Sequence, residues 1–264
     1  MNPTARPRSP QALGLLFAAA LLALPAQAEE RPAFTPPGED ALADDAFGQL
    51  VRKGKDLFVN TGQLRGRYVG NGMKCVNCHL DAGRLADSSP LWAAYTVYPA
   101  FRQKTGRVDT FTDRLQGCFM YSMNGTAPPA DSPELAALTT YAFWLASNAP
   151  VGVSLPGRGY PALSEPAQPP SIERGAQVYA QNCALCHGAD ARGTKVGDDY
   201  VFPPLAGDDS YNWGAGMHRI NTAAAFIKAN MPLGKPNSLS DQEAWDVAMF
   251  VNSRERPQDP RFEG

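Results

Sequence analysis

Two short phrases in this chain have residue types and spacing that can do chemistry. Cys75-Val76-Asn77-Cys78-His79 recurs as Cys183-Ala184-Leu185-Cys186-His187, offset by 108 residues. Cys-x-x-Cys-His is the attachment signature of c-type haem. Two sulfurs on one helical turn reach the porphyrin vinyl groups, and the adjacent imidazole ligates the iron. A redox dithiol or half a zinc site uses the same cysteine pair. Two copies, each with its histidine, favour two covalently bound c-type haems instead. The expected cofactor-binding residues are therefore Cys75, Cys78 and His79, and Cys183, Cys186 and His187, with both histidines on iron.

The second axial position of each iron separates carrier from catalyst. Met231 follows His187 by 44 residues, inside Asn230-Met231-Pro232-Leu233-Gly234. A Met followed by Pro before a C-terminal helix is the usual cytochrome c arrangement, so Met231 is the expected ligand. Met217, Met249 and His218 compete for the place. In the first half Met123 stands at the same 44-residue spacing from His79. Cys118, however, is the odd cysteine, and iron stabilises a deprotonated sulfur. A buried free Cys is otherwise a small hydrophobe. The residues alone leave Cys118 and Met123 even. Arg102, Lys104, Arg107 and Arg114 fall within thirteen residues, 102–114, shortly before Cys118. Arginine forks match oxyanion geometry, and a solvated basic face is the plainer reading.

These groups need elements to hold them. Helical patterns precede both motifs, with Phe47, Leu50, Val51, Leu57 and Phe58 before the first and Ile172 to Tyr179 before the second. Ser132-Pro133-Glu134 opens a helix through Leu135 to Ala146, and Ser240-Asp241-Gln242-Glu243 is a capping box before Ala244 to Asn252. No alternating strand pattern appears. Residues 150–171 carry six prolines with Gly152, Gly157 and Gly159 between them, which excludes a helix interior or a central strand. The expected fold is all-α. Two tandem cytochrome c-type haem domains, 29–149 and 172–264, are joined by a Pro/Gly-rich linker over 150–171.

Arg6 and Arg8, the apolar run Leu13 to Leu24 and Ala26-Gln27-Ala28 describe a signal peptide over 1–28, cleaved after about Ala28. A twelve-residue helix rises about 18 Å against roughly 30 Å of hydrocarbon, so stable membrane insertion is not expected. The expected location is periplasmic. The 264 residues carry 24 Lys+Arg against 26 Asp+Glu, and this balance gives no footprint for nucleic acid.

Longer phrases resemble the dihaem thiosulfate dehydrogenases. They are Leu64-Arg65-Gly66, the run Cys75 to Gly83, Tyr98-Pro99-Ala100-Phe101-Arg102, Asp113 to Cys118, and Ser122-Met123-Asn124-Gly125. Phe202-Pro203-Pro204-Leu205, Gly214-Ala215-Gly216-Met217 and Phe226 to Pro232 continue the match in order. The resemblance implies an enzyme that couples two thiosulfates into tetrathionate and passes two electrons to a soluble c-type acceptor. It implies His/Cys ligation at the first haem, which moves Cys118 ahead of Met123. It also favours Arg102 and Arg114 as substrate anchors, making Cys118, Arg102 and Arg114 the expected catalytic set. Some members carry a lysine ligand beside the second-haem methionine, where this chain has Asn230.

The chemistry fits these residues. Two dianions 4 Å apart repel by about 4 kcal/mol even in water, so local positive charge is required. The competing function is a non-catalytic dihaem electron carrier, or a cytochrome subunit of another dehydrogenase or sulfur-oxidising complex. Two His/Met centres would favour it.

Overall fold

A computed structural model of the chain describes Met1 and residues 34–262. The expected signal peptide lies outside these residues, apart from Met1. Among them, no helix is long and apolar enough to cross a membrane.

The first half begins with α1 (Ala46–Val59), capped by Asp45, whose carboxylate accepts from the Gly48 N–H at 2.8 Å. After the first motif come a left-handed turn, α2 (Leu80–Gly83), and the short helix α3 (Leu91–Tyr95). A hairpin follows, with β1 (Ala100–Arg102) antiparallel to β2 (Arg107–Asp109) and Phe101 opposite Val108. Then α4 (Phe111–Gly117) leads into a π-helical turn, Cys118–Ser122, and α5 (Pro133–Leu145) closes the half. Ser132 caps α5, with proline at its first position.

The second half repeats the plan. Its elements are α6 (Ile172–Asn182), α7 (Ala184–His187), the hairpin β3 (Thr194–Val196) with β4 (Asp199–Phe202), α8 (Ile220–Asn230) and α9 (Asp241–Asn252). The predicted box at Ser240 and Glu243 is made in both directions.

Each half is held by a crossing of its first and last long helices, α1 on α5 and α6 on α9. Each crossing depends on a glycine. A Cβ on Gly54 would lie 2.1 Å from the Ala137 carbonyl oxygen, and one on Gly175 would lie 2.1 Å from that of Asp246. Backbone meets backbone there, so neither site accepts a side chain.

Two features differ from the sequence expectation. The hairpins make the chain mainly helical rather than all-α. Their strands are three or four residues long, and Phe101, Val108, Val196 and Val201 are exposed on them, so no alternation of buried residues was there to read. The two cores also touch. Tyr211 and Ala215 from the second half are buried in the core of the first. Residues 150–171 contain no helix or strand before α6, apart from the bonds they make to both halves. Asp87 and Ser89 N–H donate to the carbonyls of Gly157 and Gly159, both at 2.7 Å, and the Trp245 indole donates to that of Ser164 at 3.0 Å.

Candidate functional site

The two motifs orient their histidines by the same device. His79 Nδ1 lies 2.7 Å from the Ser89 carbonyl, and His187 Nδ1 lies 2.9 Å from that of Pro203. A carbonyl accepting from Nδ1–H fixes the tautomer that leaves Nε2 to bind a metal. Burial lowers the His79 pKa to about 4 and pushes His187 below its ordinary value, so both rings are neutral, as a ligand must be. Burial raises the thiols of Cys75 and Cys78 to about 12 and that of Cys183 to about 11. None of the five cysteines is in a disulfide. Among the described residues, no three His, Cys, Asp or Glu side chains converge as a zinc site needs.

A cleft opens over the first motif. Its volume is about 210 Å³. Cys75, Cys78 and His79 form one side, and Phe111, Leu115, Leu138 and Phe58 give apolar walls. Thiols, imidazole, apolar walls and the cationic lining residues Lys74, Arg102, Arg114 and Arg158 together fit a haem with its two carboxylates.

Cys118, Arg114, Arg102 and Met123 line the same cleft. Arg114 Nη1 donates to Cys118 Sγ at 2.9 Å, because residues four apart on α4 and its continuation share a face. The neighbouring Cys118 sulfur pushes the Arg114 pKa above its ordinary value, against the opposing effect of burial. Among the described residues, no cation donates to the Met123 sulfur. Arg102 Nη1 donates to the Tyr98 hydroxyl at 3.0 Å. The other two members of the basic cluster turn elsewhere. Arg107 is 65% exposed and pairs with Asp109 and Asp113 at 3.0 and 2.9 Å. Lys104 Nζ donates to the Gly214 carbonyl at 2.6 Å and sits 3.3 Å from the centre of the Tyr121 ring.

Sequence reasoning missed Tyr98, Arg158, Tyr211 and Met217 as lining residues. Arg158 comes from the Pro/Gly-rich segment, and Tyr211 and Met217 come from the second half. No local signal marks them. Met217, a competitor for the second haem, lines the first cleft instead.

The second motif is more open, and Leu185, between its cysteines, is 95% exposed. The His187 ring meets Phe202 edge-on at 6.3 Å. Met231 lies at the C-terminal end of α8, its N–H donating to the Ile227 carbonyl at 2.8 Å. Asn230 is buried, and its amide donates to the carbonyls of Asp87 and Phe226 at 3.0 and 3.1 Å. Among the competitors, His218 Nδ1 is engaged by the Ala215 carbonyl at 2.6 Å, and Met249 sits within α9.

Tandem cytochrome c domains, each with one Cys-x-x-Cys-His, define a dihaem c-type cytochrome, and the chain carries two covalently bound c-type haems. Residues 66–151 match the family model described as "SoxA/TsdA, cytochrome c domain", and residues 170–251 match "Cytochrome C oxidase, cbb3-type, subunit III". A thiosulfate dehydrogenase of Stutzerimonas stutzeri (strain A1501) is 58% identical over 229 residues, covering 87% of this chain and 75% of that protein. One of Thiomonas intermedia (strain K12) is 52% identical over 266 residues, covering 96% and 85%. The solved "as isolated" thiosulfate dehydrogenase (TsdBA) from Marichromatium purpuratum superposes with a TM-score of 0.85 at 53% identity. That match covers 88% of this chain and 51% of the other, so this chain spans about half the length of that one. The chain belongs to the thiosulfate dehydrogenase family.

Proposed function

We propose that this chain oxidises two thiosulfate ions to one tetrathionate, releasing two electrons, and passes them singly to a soluble c-type cytochrome or similar acceptor. The charge balances: two dianions become one dianion plus two electrons. In this reading Cys75, Cys78 and His79 hold the first haem with Cys118 as its second axial ligand. Cys183, Cys186 and His187 hold the second, with Met231. When bound, each haem takes up and gives on one electron at a time.

The observation that carries the reading is Arg114 Nη1 at 2.9 Å from Cys118 Sγ in the cleft that Arg102 also lines. One guanidinium on the sulfur and a second in the same cleft offset the repulsion between two dianionic substrates and orient their oxyanions. Cys118 then acts either as a ligand that moves aside or as a sulfur nucleophile. A carrier needs no such arrangement.

The proposed organisation is a signal peptide over 1–28 that directs export to the periplasm. The catalytic haem domain spans 29–149, the linker 150–171, and the electron-transfer haem domain 172–264. The bonds from residues 157–168 to both halves support the linker assignment.

The test is turnover of free thiosulfate by the isolated dihaem protein with ferricyanide as acceptor, and tetrathionate as the product measured. No turnover, with both haems attached and reducible, would leave the electron-carrier reading standing.

A further inference from the structure

The turn that carries Cys118 is held only in part by its own helical bonds. Its first two carbonyls are satisfied locally: Cys118 C=O accepts from Met123 N–H at 2.9 Å, a π-helical bond, and Phe119 C=O accepts from Gly125 N–H at 2.9 Å. The next three are captured from outside. Asn212 Nδ2 donates to Met120 C=O at 2.9 Å, Asn212 N–H to Tyr121 C=O at 3.1 Å, and Asn71 Nδ2 to Ser122 C=O at 2.9 Å. Three successive carbonyls of a short turn are thus tied to two buried residues, two of them by side-chain amides and the third by the Asn212 backbone N–H.

Neither asparagine is there merely to satisfy itself. Asn71 stands in the loop that leads to the first motif, and its Oδ1 accepts from Met73 N–H at 3.1 Å. Its Nδ2 also donates to Ser210 C=O at 2.9 Å. Asn212 belongs to the second half, 92 residues from Met120 in sequence. Its Nδ2 also donates to Asn124 Oδ1, and its Oδ1 accepts from Gly214 N–H, both at 2.9 Å. The loop before the first motif, the Cys118 turn and the second half therefore meet in one network, in which the amides of both asparagines are paired. Such networks specify one arrangement when complete and lose it when one donor is missing.

We propose that Asn71 and Asn212 are positioning residues for the reaction at the first site. They set where Cys118 Sγ rests on the cleft wall, and through Asn212 the docking of the second half fixes that position. The proposal rests on the reading that Cys118 is the second axial ligand of the first haem. A π-helical turn accommodates a residue that must shift in use, and carbonyls held from outside give it a defined place of return.

The experiment uses the full dihaem protein with Asn212→Asp and, separately, Asn71→Asp. Each keeps the side chain's size and its Oδ acceptor while removing the amide donors. With two haems confirmed by intact mass, the thiolate-type low-spin paramagnetic resonance signal of the first haem should split or weaken, and that of the second should stay unchanged. Thiosulfate turnover with ferricyanide should lose on the order of tenfold to a hundredfold in kcat, with KM within about twofold of wild type. A lower melting temperature alone, with the wild-type signal and kcat, would make the two residues packing glue and overturn the proposal. Failure of both variants to retain two haems would overturn it too, marking them as folding determinants. Cys118→Gly is run beside them. If that variant keeps the thiolate signal, the ligand reading falls and the proposal with it; if it loses the signal and the asparagine variants do not, only the positioning role falls.

Discussion

At the residue scale the decisive pair is Cys118 and Arg114. A guanidinium donating to a sulfur stabilises its thiolate form, and Cys118 is the one cysteine outside the two motifs. Cys118→Gly should abolish tetrathionate formation while both haems stay attached, because their thioethers come from other residues. The first haem's resting low-spin signal should change and its potential rise. Met123 also lines the cleft, so Met123→Gly is the control; the spectral change appearing there instead would transfer the ligand role to it. The arginines separate in a second prediction. Neutral replacement of Arg102 should lower turnover and leave both haem spectra intact, since its partner is the Tyr98 hydroxyl. Arg114→Gln should lower turnover and also disturb the first haem's spectrum. Each loss should be on the order of 1.5–3 kcal/mol, roughly tenfold to more than a hundredfold; wild-type kinetics in both would reduce the cluster to a solvated face. Cys75, Cys78 and His79 were readable from their motif, whereas Cys118 and Arg114 came forward only through the resemblance, the residues alone leaving Cys118 and Met123 even. Arg158, Tyr211 and Met217 were not, because chain segments far from the first motif bring them in.

At the scale of elements, α8 leads directly into Met231, the proposed ligand of the second haem. Its last residue, Asn230, is tied to the carbonyls of Asp87 and Phe226, so its amide is committed to structure and does not reach for iron. Met231 follows it directly, with its backbone anchored to Ile227. Met231→Gly should therefore leave α8 in place, remove the Met-to-ferric charge-transfer band and lower the second haem's potential. An unchanged band, measured by near-infrared or long-wavelength absorption of the ferric protein, would pass the assignment to Met249 or His218. The helices were legible through caps and periodicity: Ser132 and Ser240 both cap as hydroxyls in those positions should. The hairpins were not, since turns closing three-residue exposed strands leave no burial pattern in the sequence. The π-helical turn at Cys118 was also illegible. Its bonding is completed by Asn71 and Asn212, and no local rule counts partners that distant.

At the scale of the whole molecule, the two halves share an interface that carries charge as well as carbonyls. On the proposed ligation the thiolate site has the lower potential and the His/Met site the higher, so electrons run from the first haem to the second before leaving. Lys104 crosses that interface, reaching from the β1–β2 hairpin to the Gly214 carbonyl of the second half. Burial first, and then the nearby Arg261 and Arg114, lower its pKa from 10.5 to about 8. In the unfolded chain the lysine keeps its ordinary value. Below about pH 8 both states hold the proton, and the native state bears the full cost of a confined cation. Between about 8 and 10.5 the unfolded chain binds a proton that the folded chain has released, so this group makes stability rise with pH across that window. The measurement is thermal unfolding of the oxidised protein and its Lys104→Met variant from pH 7 to 10.5. The melting temperature of the wild type minus that of the variant should climb through the window and level off above it. A difference that stays flat would mean Lys104 ionises as it does in water and that the Gly214 contact imposes no confinement on it.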